Sequence, residues 1–249
     1  MTKEIKAVHL ACEILDELQN THTAGVTEIA NRVGHSKSTV HRQLATLESN
    51  EYVVRENGTY RLSLRFLEIS EYLTEHIENY DEIVRSVDDL AKETGEVAQF
   101  AVEEHGQVVY LYKSEGDRGV KTASNIGSRK EMHSTSLGKS ILAHKPDEEV
   151  NEIIERHGLM SKTKNTTTDR DLLRENLEVI RERGYALDDE ENVLGLRCIA
   201  APIMHEDRVF GAISVSGPSR RMNRERFQDD LPETVTRAAN VIQLNSRFS

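Results

Sequence analysis

VTEIANRVGHSKSTVHRQLATLES, residues 26–49, with YVVRENGTYRL following at residues 52–62, is the stretch on which the fold of this chain turns. Thr27 is the expected N-cap of a short amphipathic helix over Glu28–Val33, whose Ile29, Ala30 and Val33 share one face. Gly34, a residue that tolerates positive φ, ends it. Ser36 then caps a second helix in which Val40, Leu44 and Leu47 recur at i, i+4 and i+7, so one stripe packs inward and the opposite stripe stays free. That free stripe carries Lys37, Ser38, Thr39, His41, Arg42 and Gln43. Two short helices joined by a tight glycine turn, the second with donors near its N-terminus, predict a helix-turn-helix whose recognition helix enters the major groove of double-stranded DNA. Tyr52–Arg55 and Thr59–Leu62 predict two strands around Asn57-Gly58, the dipeptide that suits a type I′ hairpin. The hairpin is then a wing, with Arg55 and Arg61 on it.

Charge supports a nucleic-acid surface over a merely solvated helix face. Between residues 31 and 65 the basic side chains are Arg32, Lys37, Arg42, Arg55, Arg61 and Arg65, against Glu48, Glu51 and Glu56, in a chain of formal charge -11. The candidate DNA contacts are therefore Arg32, Lys37, Ser38, Thr39, His41, Arg42, Arg55 and Arg61. Elsewhere the surface is acidic, with a pI of about 5.4 and a mean hydropathy of -0.57. Acidic residues crowd 81–89, 148–155 and 188–191, and arginine outnumbers lysine. Such a surface is what keeps a protein soluble in strong salt, and it predicts a halophilic, archaeal source. Phosphate attraction falls steeply as salt rises, so base contacts and dimerisation must then supply more of the affinity.

A chain of 249 residues suits two modest domains. No run of roughly 18 apolar residues occurs, and the start leads into an amphipathic helix, so a cytoplasmic protein with no membrane partner is expected. Cys12 and Cys198 imply no disulfide framework, and each reads first as a small buried apolar side chain. The expected organisation is a winged helix-turn-helix at 5–66, a helical linker with the first helix of the next domain at 67–95, and an effector-binding domain at 96–249. A first helix over Lys3–Gln19 places Val8, Ala11, Ile14, Leu15 and Leu18 on one face. Leu64–Ile77 is a helix with two partly apolar faces, the linker, and Tyr80–Glu93 follows with Ile83, Val84, Val87, Leu90 and Ala91 inward and Gly95 at its end.

From Glu96 the period changes to two. Val97–Val102 and Val108–Lys113 flank a turn at 103–107, and a third strand is expected near Val120–Ala123. Helices are expected at Ser136–His144, Asp147–His157 and Asp169–Arg183, the last with Thr168 and Asp171 as a capping pair and Gly184 beyond it. Strands at Leu196–Met204 and Arg208–Val215 turn at His205-Glu206-Asp207, and a closing helix over Arg224–Leu244 is kinked or split by Pro232. The mixture predicts an α+β fold with one central antiparallel sheet.

Three segments of the second half are dense in small and polar residues: IGSRKEMHSTSLGKSILA (126–143), GYALDDEENVLGLRCIAAP (184–202) and GAISVSGPSRRM (211–222). With Lys37-Ser38-Thr39 opening the recognition helix and Tyr60-Arg61-Leu62 ending the wing, the chain resembles the IclR family of transcriptional regulators over nearly its whole length. The family's effector-domain motifs stand here in order. They are Gly127, Arg129 and His133 before Thr135-x-x-Gly138-Lys139, then Gly184-Tyr185-x-x-Asp188-x-Glu190, Arg197-Cys198-x-Ala200-x-Pro202 and Ser214-x-Ser216-Gly217-Pro218. The resemblance implies a GAF-like effector domain that binds small organic or aromatic acids, with ligand contacts at Ser136, Leu137, Asp188, Cys198, Ser214 and Ser216. Some members carry Gly-Ala where Ser136-Leu137 stand here. The residues agree in part: Ser136 can start a helix whose free N–H groups suit an anion, and Ser214 and Ser216, two apart on a strand, present both hydroxyls to one face.

Other readings are weaker. Leu137-Gly138-Lys139-Ser140 is like the end of a phosphate-binding loop, but His133 stands where that motif needs glycine. His133, Cys198 and Asp188 are ligand types for zinc, yet they are scattered and lack close-spaced pairs, so no metal or cofactor is expected. Asn57-Gly58-Thr59 and Asn165-Thr166-Thr167 fit a glycosylation sequon but read as loop residues. Cys198 has no histidine near it in sequence to activate it, so no catalytic residue is assigned. The expectation is a ligand-responsive DNA-binding regulator, not an enzyme, acting as a homodimer or dimer of dimers on palindromic operators in sugar, organic-acid or aromatic-acid catabolism. The alternative is a metabolite or redox sensor acting through protein contacts, its winged helix degenerate. The basic stripe and the intact Asn-Gly wing argue against that alternative.

Overall fold

The computed structural model describes residues 4–120 and 124–246, and the chain divides into two compact units, residues 1–77 and 78–249. In the first, α1 (Lys6–Thr21), α2 (Val26–Arg32) and α3 (Lys37–Ser49) close over a three-stranded sheet of β1 (Ala24–Gly25), β2 (Val53–Glu56) and β3 (Thr59–Leu62), in the order β1-β3-β2. Their core is Leu10, Ile14 and Leu18 of α1, Ile29 and Ala30 of α2, Val40, Leu44 and Leu47 of α3, and Ala24, Val53 and Tyr60 from the strands. The inward stripe of α1 therefore starts at Leu10. Val8, expected inside, is exposed, because it lies about 200° around the helix from Leu10.

The turn between α2 and α3 forms at Gly34 with φ +68°. The start of α2 differs from expectation: Gly25, not Thr27, is the N-cap, and no side chain caps it. Gly25 is already held extended by pairing with Thr59 in β3, so the chain enters the helix directly at Val26. Asn57 and Gly58 both have positive φ, the signature of the type I′ turn, and the register Val53↔Leu62 to Glu56↔Thr59 follows from that two-residue loop. After the wing comes α4 (Arg65–Glu75), which buries no residue and leaves Leu64, Leu67, Tyr72 and Leu73 exposed.

The second unit is built on a six-stranded antiparallel sheet. Its strands are β4 (Val97–Glu104), β5 (Gln107–Glu115), β6 (Arg129–Glu131), β7 (Ala186–Asp189), β8 (Leu196–His205) and β9 (Arg208–Pro218), in the order β6-β5-β4-β9-β8-β7. The helices α5 (Tyr80–Thr94) and α9 (Leu231–Ser246) cover one face. The short helix α6 (Ser136–Leu142) covers the other, with α7 (Asp147–His157) and α8 (Arg170–Arg183) packed in the same apolar cluster. Antiparallel hairpins with one amphipathic helix layer on each face make this an α+β domain.

Hairpin turns are tighter than expected. β4 runs to Glu104 and β5 begins at Gln107, because His105 and Gly106 both take positive φ and close a two-residue loop. β8 and β9 likewise meet across Glu206-Asp207 alone, with Glu206 at φ +52°. The strand expected near Val120–Ala123 lies, beyond Val120, outside the described residues. Two unexpected strands, β6 and β7, are edge strands of three and four residues, too short to show a period. The cap of α8 is Asp169 rather than Thr168: its carboxylate accepts from the amides of Asp171 and Leu172 at 2.9 and 3.0 Å. The closing segment is split as expected near Pro232, into a π-helical turn over Arg226–Asp230 and α9. Proline lacks the N–H an α-turn needs there, and the wider turn accommodates it.

Candidate functional site

The N-terminal unit presents the recognition helix. Ser36 caps α3, its Oγ accepting from the Thr39 amide at 3.2 Å and lying 3.0 Å from Ser38 Oγ and 2.9 Å from Thr39 Oγ1. The hydroxyls of Ser38 and Thr39 are thus partly engaged in the cap. Val40, Leu44 and Leu47 point inward, so Lys37, Ser38, His41 and Arg42 are exposed and Thr39 is half-buried. Among the described residues no ion pair engages Lys37, His41 or Arg42, and their charge and donors stay available. On the wing, Arg55 sits 5.7 Å from the centre of the Tyr60 ring, a stacking contact that leaves its charge unneutralised.

Two predicted contacts are less available. Arg32 pairs with Glu28 at 3.2 Å and Glu17 at 3.6 Å, because α2 brings i and i+4 together and α1 passes beside it. Arg61 is bound to Glu56 across the wing at 2.5 Å and donates to the Leu62 carbonyl. The strong basic surface is therefore Lys37, His41, Arg42 and Arg55.

In the C-terminal unit, pairing brings four of the six predicted effector residues together. Asp188 of β7 stands opposite Cys198 of β8, and Cys198 opposite Ser216 of β9. In the next row Ser214 stands opposite Ala200, which faces Ala186. Paired residues of antiparallel strands leave the sheet on one face, so these side chains form one patch. The face is the α6 face, since Ala186 and Ala200 pack in one cluster with Leu137 and Ile141 of α6. Leu137 is thus part of the lid over the patch, and Ser136, also buried, precedes it at the first position of α6.

The start of α6 differs from expectation. Thr135 is the N-cap: its Oγ1 accepts from the Gly138 amide at 3.1 Å and its carbonyl from the Lys139 amide at 2.9 Å. Only the Ser136 and Leu137 amides remain for a ligand, so the side chains of the patch carry more of any binding than the helix terminus. Gly138 is where α6 touches the preceding chain. A Cβ there would meet the Met132 carbonyl oxygen at 2.2 Å.

The patch is polar, buried and charged. Asp188 Oδ1 accepts from the amides of Glu191 and Asn192 at 2.7 and 3.3 Å. Burial pushes its pKa up to about 7, against the pull of Lys139 and of those amides. Burial also pushes the Cys198 thiol well up, and the neighbouring Asp188 adds to it, so Cys198 stays a protonated thiol. Tyr110, on the same cluster, is likewise pushed up by burial. Lys139, fully buried, is ion-paired to Glu191.

Sequence reasoning missed Lys139 and Glu191 as a pair and Gln99 as a neighbour of Ser216, whose Oγ donates to Gln99 Oε1 at 3.3 Å. A glutamine inside the apolar run Val97–Val102 was the one visible signal. His133, weighed as a zinc ligand, is buried and its Nε2 is 3.0 Å from the Met160 carbonyl oxygen. Among the described residues no three His, Cys, Asp or Glu side chains gather as a metal set. No described helix is long and apolar enough to cross a membrane.

A winged helix-turn-helix joined in one chain to an α+β unit with a buried polar patch defines a DNA-binding regulator with a sensing domain. Comparison with known proteins agrees. The IclR helix-turn-helix domain matches residues 10–57, and the C-terminal domain of bacterial transcriptional regulator IclR matches residues 74–244. The chain belongs to the IclR family of DNA-binding transcriptional regulators. The probable HTH-type transcriptional regulator ArcR of Halobacterium salinarum is 31% identical over 247 residues, covering 97% of this chain and 94% of its own. The crystal structure of the Thermotoga maritima IclR superposes with a TM-score of 0.79 at 30% identity, over 98% of this chain and 99% of that one. An IclR homologue from Microbacterium hydrocarbonoxydans, complexed with 4-hydroxybenzoate, has the same fold, with a TM-score of 0.82 at 24% identity over 98% and 100% of the two chains.

Proposed function

We propose that this regulator binds palindromic operators as a homodimer or dimer of dimers, through Lys37, Ser38, Thr39, His41, Arg42 and Arg55, with Arg32 and Arg61 in lesser roles. Its DNA affinity is set by a small organic acid held over the sheet by Ser136, Leu137, Asp188, Cys198, Ser214 and Ser216. The observation that carries the effector reading is the unpaired polar interior of that patch. Ser214 Oγ and Glu191 Oε2 are buried with no hydrogen-bond partner among the described residues. Unsatisfied buried groups cost about 1–3 kcal/mol each, so a ligand or ordered water that supplies the missing partners is stabilised there. The neighbour complexed with 4-hydroxybenzoate supports an acid as the ligand. The exposed apolar side chains Leu64, Leu67, Tyr72 and Leu73 around α4 support oligomerisation, since a single recognition helix spans too few base pairs for operator specificity. A regulator of this kind works beside the chromosome, in the cytoplasm. Cys198, a buried and protonated thiol, favours sensing over nucleophilic catalysis.

The test is retardation of the adjacent promoter fragment by the full chain, titrated with keto, hydroxy and aromatic acids. An acid that shifts promoter affinity is expected, and replacing Ser214 and Ser216 together by Ala abolishes the shift while leaving ligand-free affinity nearly unchanged. A double variant that answers the acid as wild type does places the pocket elsewhere.

A further inference from the structure

The polar row on the α6 face of the sheet continues beyond the residues assigned above. Ser214 of β9 stands opposite Gln99 of β4, and Gln99 opposite Lys113 of β5. All three leave the sheet on one face. Two contacts identify it. Ala200, opposite Ser214, packs with Leu137 and Ile141 of α6, whereas Tyr112, the residue before Lys113, bonds Asp88 of α5 on the other side.

Gln99 and Ser214 are 3% and 0% exposed, and Gln99 Nε2 and Ser214 Oγ both lack a hydrogen-bond partner among the described residues. Because Ser216 Oγ occupies Gln99 Oε1, the unpartnered end of the amide is its donor end. Lys113, next in the row, carries an ammonium 2.9 Å from Glu115 Oε1 on its own strand. The opposite end of the patch holds Asp188 and the Lys139–Glu191 ion pair, whose ammonium is already engaged.

We propose that Ser214 and Gln99 receive the carboxylate of the effector, and that Gln99 is the residue that selects an acid over its neutral analogues. This rests on the effector reading given above. Gln99 donates an N–H to one carboxylate oxygen and Ser214 donates its hydroxyl. An amide held by Ser216 with its NH2 turned to the ligand meets a full negative charge in a carboxylate and only a carbonyl dipole in the matching amide, so the stronger charge-assisted bond favours the acid.

The experiment is calorimetric titration of the full chain with 4-hydroxybenzoate, benzoate and lactate, each beside its primary amide, for wild type, Gln99→Glu and Gln99→Met. Wild type is expected to bind at least one acid more tightly than the matching amide. Gln99→Glu, isosteric and, once ionised, without the donor and of the ligand's own charge, is expected to bind that acid about 10- to 100-fold more weakly above neutral pH, the range for losing a hydrogen bond to a charged group. Gln99→Met, which has no N–H to donate, is expected to weaken it similarly. If Gln99→Glu does not fold, Gln99→Met decides alone. Acid affinity within twofold of wild type in the folded variants overturns the assignment of Gln99 and leaves the effector reading standing. A wild type that binds none of the acids, and whose promoter affinity none of them shifts, overturns both readings.

Discussion

Lys139→Met removes the ammonium paired with buried Glu191 beside the buried carboxyl of Asp188, and its cost follows from where those groups sit. Lys139 is fully buried and its partner Glu191 nearly so, while Asp188, held by the Glu191 amide, lies beside them. Methionine keeps most of the apolar stem, so lost packing is minor and the loss is electrostatic. Breaking a buried pair by deleting one partner costs about 3–5 kcal/mol. An upper bound is set by proton uptake: a carboxylate of ordinary acidity is neutralised at pH 7 for about 3.7 kcal/mol, and at pH 5 for about 1 kcal/mol. Lys139→Met is therefore expected to destabilise the C-terminal unit by about 3–4 kcal/mol at pH 7 and only about 1 kcal/mol at pH 5. Molar salt should change this little, because a buried pair is weakly screened. Adding Glu191→Leu should restore most of the loss, since two apolar groups replace two buried charges. The assay is urea unfolding of the full chain followed by circular dichroism, at both pH values with and without molar potassium chloride. A single variant within 1 kcal/mol of wild type at pH 7, with no pH dependence, would refute the buried pair.

Three further outcomes are expected. Arg42→Ala should lower specific operator affinity by about 1–3 kcal/mol if it reads a base, and Lys37→Ala should weaken all sequences and flatten the salt slope, while Arg32→Ala and Arg61→Ala, already paired to acids, do less. Binding over a salt series tests this, and wild-type affinity in both Arg42→Ala and Lys37→Ala removes the docking face. Asp188 has a folded-state pKa of about 7, above its ordinary 3.8, so the native form keeps a proton that the unfolded chain releases. Its contribution to stability is present below pH 4 and is lost as pH rises through 7, so melting curves from pH 4 to 8 should show wild type losing ground to Asp188→Asn; parallel curves would count against it. In molar salt the chain should scatter light as a dimer or tetramer, with Leu67→Glu and Leu73→Glu shifting it toward monomer, and a stable monomer that still binds its promoter specifically would refute the oligomer.

Local chemistry was legible wherever one residue decides a conformation. Ser36 as a cap, Gly34, Gly95 and Gly184 at helix ends, and Asn57-Gly58 in the wing all took the expected roles, because positive φ and side-chain capping are settled within a few residues. The misses came where a distant partner decides. Thr27 lost the N-cap to Gly25 because Thr59, more than thirty positions later, holds Gly25 extended. β6 and β7 escaped because a three- or four-residue edge strand is defined by its neighbour, not by its own period. Asp169 displaced Thr168 because a carboxylate at that position reaches two amides at once.

The sequence by itself determined a winged helix-turn-helix with a locally basic stripe and an α+β unit behind it, since hydrophobic period, turn residues and charge are properties of a linear string. Only the tertiary structure decided which of those groups are still available. Antiparallel register placed Asp188 against Cys198 and Cys198 against Ser216, and it carried the row on to Gln99 and Lys113. Ion pairing engaged Arg32 and Arg61 with acids and joined Lys139 to Glu191, fifty-two positions apart. The reason is physical: whether a polar group is satisfied depends on what lies within about 3 Å of it, and that distance is set by chain crossings the linear order does not contain.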